Sequence, residues 1–194
     1  MRVIAGSAGG IQLAVPKRGV RPTMDRVKAA IFSSLGERII NARVLDLFAG
    51  SGGLGIEALS RGAISVLFVD QDRQAVVTIE TNLAKANLRG QVRQQDVFRF
   101  LRSSIAPESF DIILADPPYE KTEDGERFTE KLLTNSVLPA LLTNDGVLVL
   151  EKHPDENLLE LEFWQLIRAK RYGATEVLFL APLSRHSKID NRKS

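Results

Sequence analysis

The sequence predicts a doubly wound α/β domain whose mostly parallel sheet ends in an antiparallel hairpin. Three observations carry this expectation. From residue 43 onward, short apolar runs alternate with helical stretches. Strands that are apolar on both faces and separated by helices belong to a parallel sheet covered on both sides, and right-handed crossovers then wind it in both directions. The first apolar run leads directly into a glycine cluster, as at a tight strand-to-helix turn. The tail breaks the alternation, with two strand-like runs flanking Tyr172-Gly173.

In chain order, Met1–Ala5 and Ile11–Pro16 read as extended runs around Gly6-Ser7-Ala8-Gly9-Gly10, a hairpin with a loose loop. Lys17 to Thr23 is a basic connection with prolines at 16 and 22. Thr23 can cap a helix in which Val27, Ile31 and Leu35 recur at helical spacing, with Gly36 near its end. The parallel strands are Val44–Phe48, Ser65–Val69, Val92–Gln95, Asp111–Ala115 and Val147–Glu151. Ala75, Val76, Ile79, Leu83 and Ala86 give the clearest helical apolar face. Asp72 is placed to cap a helix from Arg73, and Asp96 one from Val97. Phe163–Arg171 and Ala174–Ala181 form the closing hairpin. The chain divides into a hairpin extension and basic linker over 1–22, the main domain over 23–183 and a basic tail over 184–194.

Composition narrows the function. The chain has 194 residues with 44% apolar side chains, enough for one domain with a sizeable core. No apolar run approaches the roughly 20 residues of a membrane helix, and the opening MRVIAGSAGG lacks the apolar stretch of a secretion signal. A cytoplasmic protein is expected. Without cysteine there are no disulfides, thiolate zinc sites or cysteine nucleophiles. His153 and His186 have no metal-ligand partners at useful spacing, so no metal is expected. The net charge of +2 is uneven: residues 1–43 hold eight basic and two acidic side chains, residues 185–194 four and one, and the body between is acidic. Basic ends on an acidic body suit a polyanionic partner.

The first strand runs into Asp46-Leu47-Phe48-Ala49-Gly50-Ser51-Gly52-Gly53-Leu54-Gly55. In open parallel sheets ligands sit at the carboxyl ends of the strands, where strand order reverses. The glycines alone fit a dinucleotide loop as well as another nucleoside cofactor. The flanking acids separate the two. Asp46 would repel a pyrophosphate, whereas a cofactor bearing an ammonium and a sulfonium tolerates it. Asp70, at the end of the second strand, can accept hydrogen bonds from ribose hydroxyls, and Asp96, after the third, can meet an adenine amino group. Phe48, Ala49, Gly50, Ser51 and Gly52 form the loop, with Gln71 and Val97 beside the two downstream acids. These features favour S-adenosylmethionine.

Asp116-Pro117-Pro118-Tyr119 follows the fourth strand at once. Two prolines stiffen the turn and remove two backbone donors, leaving carbonyls free to accept. Beside one carboxylate and one aromatic ring, this suits a planar substrate with an exocyclic amino group. Tyr119 can stack on the ring while Asp116 and the Pro117 carbonyl accept the amino protons. Trp164, in an apolar run, is expected to pack rather than stack on a base.

The opening MRVIAG, the segment Arg21-Pro22-Thr23-Met24-Asp25-Arg26-Val27, the loop LDLFAGSGGLGIEALSRGA, the DPPY turn and KRYGATEVLFL occur in one order. Together they resemble the bacterial 16S ribosomal RNA guanine-N2 methyltransferase family that modifies guanine 966. The resemblance covers residues 1 to about 181; FAGSG and DPPY mark many amino-methyltransferases, and the RPT-x-DRV segment is more specific. It implies a Rossmann-like class I methyltransferase with a seven-stranded sheet and a small N-terminal β-hairpin extension that helps to grip RNA. Asp46 and Phe48 to Gly52 would line the cofactor, Asp70 would take the ribose and Asp96 the adenine. Asp116 to Tyr119 would hold the target guanine, with Arg21 and Thr23 bordering the site. Lys17, Arg18, Arg21, Arg26 and Lys28 then become candidate phosphate contacts on 16S rRNA, within a small-subunit particle or assembly intermediate, with the enzyme acting as a monomer. Rival readings are an amino-methyltransferase for adenine or protein glutamine, which more often carry Asn where Asp116 stands, a nicotinamide-dependent oxidoreductase, and a catalytically silent RNA-binding assembly factor.

Overall fold

The computed structural model describes residues 1–15, 25–103, 106–118, 127–156 and 161–183. Seven strands form one sheet in the order β3-β2-β1-β4-β5-β7-β6. They are β1 (Arg43–Leu47), β2 (Ser65–Asp70), β3 (Gln91–Gln94), β4 (Phe110–Ala115), β5 (Leu142–Lys152), β6 (Trp164–Tyr172) and β7 (Thr175–Pro182). The first five run parallel, and β7 pairs antiparallel with both β5 and β6. The helices are α1 (Asp25–Leu35), α2 (Gly53–Ser60), α3 (Arg73–Ala86), α4 (Val97–Leu101) and α5 (Phe128–Leu133).

Alternating strand residues feed two separate cores. Val44, Val66, Phe68, Ile112, Leu114, Val147 and Val149 point to one face, against α1, α2, α3 and the N-terminal segment. Leu45, Leu47, Val69, Ile113, Ala115, Leu148 and Leu150 point to the other, against α4 and α5. This is the period-2 logic of a strand buried on both faces. The helix boundaries follow local chemistry. Asp72 caps α3 by accepting the Gln74 N–H at 2.9 Å, and Asp96 caps α4 by accepting the Arg99 N–H at 2.8 Å.

Two elements differ from the sequence reading. The N-terminal extended runs meet antiparallel through the single bridge Arg2↔Gln12, flanked by Val3 N–H to Ile11 O at 2.9 Å and Leu13 N–H to Met1 O at 3.0 Å. A longer ladder does not form because the Ile4 and Ala5 N–H groups donate to Glu57 on α2, at 2.7 and 3.0 Å. The strand read from Val147 begins instead at Leu142, with a register shift opposite Phe110 and Ile112 that accommodates Asn144-Asp145-Gly146. No helix among the described residues is long and apolar enough to cross a membrane.

Candidate active site

Strand order reverses between β1 and β4: β1 leads to β2 on one side and lies beside β4 on the other. In open parallel sheets ligands bind in the crevice beyond the carboxyl ends of the strands at such a switch point, and three acids stand there. Asp46, the fourth residue of β1, is 2% exposed, and its Oδ2 accepts the Gly55 N–H at 2.9 Å. A Cβ on Gly55 would lie 2.2 Å from the Phe68 ring and 2.9 Å from Asp46 Oδ2, so only glycine lets α2 lie this close to the sheet. Burial pushes the Asp46 carboxyl well above the ordinary carboxylate range. The Gly55 N–H opposes that shift, and the neighbouring Asp116 and Asp70 carboxylates add to it. The acids of β1, β2 and the turn after β4 thus act on one another across the crevice.

The loop between β1 and α2 is held from several sides. Phe48 adopts φ +55°, a left-handed conformation uncommon outside glycine. The Ala49 N–H donates to Val69 O at 3.2 Å, the Gly50 N–H to Asp70 Oδ2 at 2.8 Å, and the Gly52 N–H to Ala49 O at 2.7 Å. The Ser51 carbonyl accepts from Asn82 Nδ2 at 2.9 Å. Asp70 also accepts the Asp72 N–H through Oδ1 at 2.9 Å. Each of its oxygens retains capacity for a second bond, because a carboxylate offers about four lone-pair sites. Gln71 is exposed next to it, Asp96 is half-buried at the start of α4, and Val97 is buried.

After β4, Asp116 is half-buried, Pro117 buried and Pro118 exposed. Tyr119 lies outside the described residues, as do Lys17, Arg18, Arg21, Thr23, His186 and the basic tail. Arg26 is exposed on α1. Lys28, expected to meet phosphate, does not: its side chain is 0% exposed, with Nζ 3.4 Å from Glu57 Oε2 and hydrogen-bonded to the Arg2 carbonyl. One helical turn packs that face of α1 onto the N-terminal segment and away from solvent. Trp164 is buried and donates Nε1–H to Leu133 O at 3.1 Å, as its apolar surroundings led us to expect. His153 lies beside Asp155 at 3.6 Å.

Sequence reasoning missed an aromatic group at this end of the sheet. Phe48 meets Phe98 edge-on at 6.2 Å and Phe128 at 5.5 Å, and Phe98 stacks with Phe128 at 6.1 Å. Lys131 Nζ lies 5.7 Å from both latter rings. Phe98, two residues after the acid that caps α4, was the legible part of this signal. Among the described residues, no group of three His, Cys, Asp or Glu side chains is set to hold a metal ion.

A doubly wound sheet with an acidic switch-point crevice, a glycine loop after β1 and a proline-stiffened turn after β4 has the architecture of a class I methyltransferase. The chain belongs to the family described as conserved hypothetical protein 95, whose model matches residues 1–181. It is 41% identical over 182 residues to YlbH of Bacillus subtilis, a candidate rRNA methyltransferase by name, covering 91% of this chain and 96% of that protein. It is 33% identical over 177 residues to ribosomal RNA small subunit methyltransferase D of Haemophilus influenzae, covering 89% of each. The solved structure of yhhF from Escherichia coli, a candidate methyltransferase, superimposes with a TM-score of 0.77 at 31% identity, covering 94% of this chain and 97% of that one.

Proposed function

We propose that the protein transfers a methyl group from S-adenosylmethionine to the exocyclic N2 amino group of guanine 966 in 16S rRNA. The observation that carries this reading is the convergence of Asp46, Asp70 and Asp116 on one crevice at the switch point. The Asp70 and Asp116 carboxylates there fit a cofactor bearing an ammonium and a sulfonium and disfavour the pyrophosphate of a nicotinamide dinucleotide. When bound, S-adenosylmethionine supplies a methyl group already activated by the sulfonium charge. The chain's part is then to bind, orient and accept hydrogen bonds. Asp70 has capacity for the ribose hydroxyls, Asp96 for the adenine amino group, and the Phe48–Gly52 loop lets the cofactor approach the main chain.

On the substrate side, Asp116 and the Pro117 carbonyl accept hydrogen bonds from the two amino N–H groups of the target base, and Tyr119 stacks on its ring. Acceptors on an amino nitrogen draw its lone pair back from the aromatic ring and disperse positive charge as it is methylated. Alignment alone can supply roughly 7–11 kcal/mol. RNA as substrate is supported by the relatives named ribosomal RNA small subunit methyltransferase D and by the exposed Arg26 on α1. Guanine 966 rests on the family resemblance of the RPT-x-DRV and DPPY segments. Lys17, Arg18, Arg21, Thr23 and Arg26 grip the RNA around an unstacked base. The enzyme works as a cytoplasmic monomer, without metal, on an assembling small-subunit particle.

The test is transfer of labelled methyl to small-subunit particles lacking the modification, with naked 16S RNA and duplex DNA alongside, followed by mapping of the label. Label on the N2 of guanine 966 in the particles is expected. Asp116→Ala should lower transfer by roughly 100-fold or more, the scale of losing a transition-state acceptor, while cofactor affinity holds. Label on DNA alone would move the reading to an adenine enzyme. Equal loss of transfer and cofactor binding would remove Asp116 from its substrate role.

A further inference from the structure

Asn82 sits in the middle of α3, on the apolar face formed with Ala75, Ile79 and Ala86, and is 0% exposed. Asparagine is a poor choice there for helix propensity, and a buried amide is costly unless its hydrogen bonds are made. Here they are made to two remote pieces of main chain. Oδ1 accepts the Ala14 N–H at 2.8 Å, and Nδ2 donates to Ala14 O at 3.0 Å and to Ser51 O at 2.9 Å. One amide therefore holds the end of the N-terminal segment and the glycine loop at the same time. Met1 provides a second contact between these two pieces. Its sulfur is 4.0 Å from Ser51 Oγ, and a Cβ on Gly53 would lie 2.7 Å from it.

We infer that Asn82 is a positioning residue that couples RNA binding to cofactor binding. This rests on the function proposed above. Ala14 stands three residues before Lys17, where the basic linker assigned to RNA begins, and Ser51 belongs to the loop assigned to the cofactor. Fixing the linker on RNA fixes Ala14, and through the Asn82 amide it fixes the Ser51 carbonyl in the conformation that receives the cofactor. The reverse follows by linkage: each ligand tightens the other by one common factor. A side chain that merely filled the core would stabilise the fold without joining the two affinities. A leucine of similar volume would fill that space and leave three main-chain groups unsatisfied.

The experiment measures affinity for S-adenosylhomocysteine with and without a 16S rRNA fragment containing the target loop, and for that fragment with and without S-adenosylhomocysteine. Full-length wild type is compared with Asn82→Ala and Asn82→Asp. Wild type is expected to show the same coupling factor in both directions, about fivefold or more. In the variants it should fall toward one, with both single-ligand affinities weakened. Should neither variant fold, Asn82→Ser, whose shorter side chain cannot bridge Ala14 and Ser51 together, carries the same comparison. Folded variants that keep the wild-type factor while losing only thermal stability would overturn the inference alone. Wild type that binds the cofactor but no RNA would overturn the functional reading, and the coupling with it.

Discussion

A carboxyl as deeply buried as that of Asp46, with two other acids in electrostatic reach, holds its proton more tightly in the folded chain than in the unfolded one. Between the unfolded value of about 4 and the raised folded value, the folded chain binds more protons. Stability therefore falls as pH rises through that window, and the loss persists above it. Asp46→Asn removes the ionisation, and its amide oxygen still accepts the Gly55 N–H. The variant should unfold at an equal or higher temperature than wild type at neutral pH, with the gap closing below about pH 4. A cationic ligand favours the ionised form instead. Cofactor affinity in wild type should climb with pH through the Asp46 transition and release a proton, whereas the variant should bind about tenfold more weakly, one pKa unit's worth, and without that pH dependence. Calorimetry in buffers of different ionisation enthalpy reads the proton count. A flat wild-type profile matched by the variant would place Asp46 outside cofactor binding. The positions of Asp46, Asp70, Asp96 and Asp116 near or just past strand ends were legible in the sequence, because each lies in or beside a short run that reads as a strand. Asn82 and Glu57 were not, because the partners of Asn82 lie 31 to 68 residues away and the main-chain donors to Glu57 52 to 53 residues away. The one local hint was a polar side chain at helical spacing between Ile79 and Ala86.

Strands with apolar residues on both faces announced themselves to within a residue or two, β5 excepted. Its first residues carry Asn-Asp-Gly, which reads as a turn and is instead absorbed by a bulge. The N-terminal pair was legible as extended chain, but its hydrogen-bonding partner was not, since the partner is a helix side chain. That side chain, Glu57, is 0% exposed and accepts from Ile4, Ala5 and Arg61 while lying 3.4 Å from Lys28 Nζ. Burial lowers the Lys28 pKa, against the upward pull of Glu57 and Asp25. An ion pair this deep is poor evidence of net stability, yet breaking it strands the remaining charge. Glu57→Ala should therefore cost about 3–5 kcal/mol, a fall of roughly 10 °C in unfolding midpoint for a domain of this size. Lys28→Met should cost clearly less, because Glu57 keeps Arg61 and both N–H donors. Denaturant titration of the two variants separates them. Equal losses, or a Glu57→Ala loss under about 1 kcal/mol, would mean that the carboxylate does not anchor the segment.

Across the whole molecule, the charge asymmetry seen in the sequence shrinks once the fold commits individual side chains. Of the eight basic residues in 1–43, Lys28 is buried against Glu57, Arg43 pairs with Asp111 at 2.9 Å, Arg2 lies 3.7 Å from Asp25, and Arg38 donates to the Asp145 carbonyl. Arg26 is exposed at the start of α1, and Lys17, Arg18 and Arg21 lie outside the described residues. Acids, by contrast, gather at the carboxyl ends of β1, β2 and β4. On the proposed function, Lys17, Arg18, Arg21 and Arg26 hold the polyanion outside the acidic interior, and only a base, which carries no charge, enters it. Four phosphate contacts on a single-stranded segment give a slope of log affinity against log salt of about −3, at roughly −0.7 per contact. All eight basic residues would give about −5 to −6. RNA binding measured from about 50 to 300 mM salt, a range in which such slopes are steep, distinguishes the two. Arg26→Gln should flatten the slope by about 0.7 and weaken target and unrelated RNA alike, since a phosphate contact carries no sequence information. A slope near zero, or an Arg26→Gln effect confined to the target sequence, would overturn this division between a basic rim and an acidic crevice.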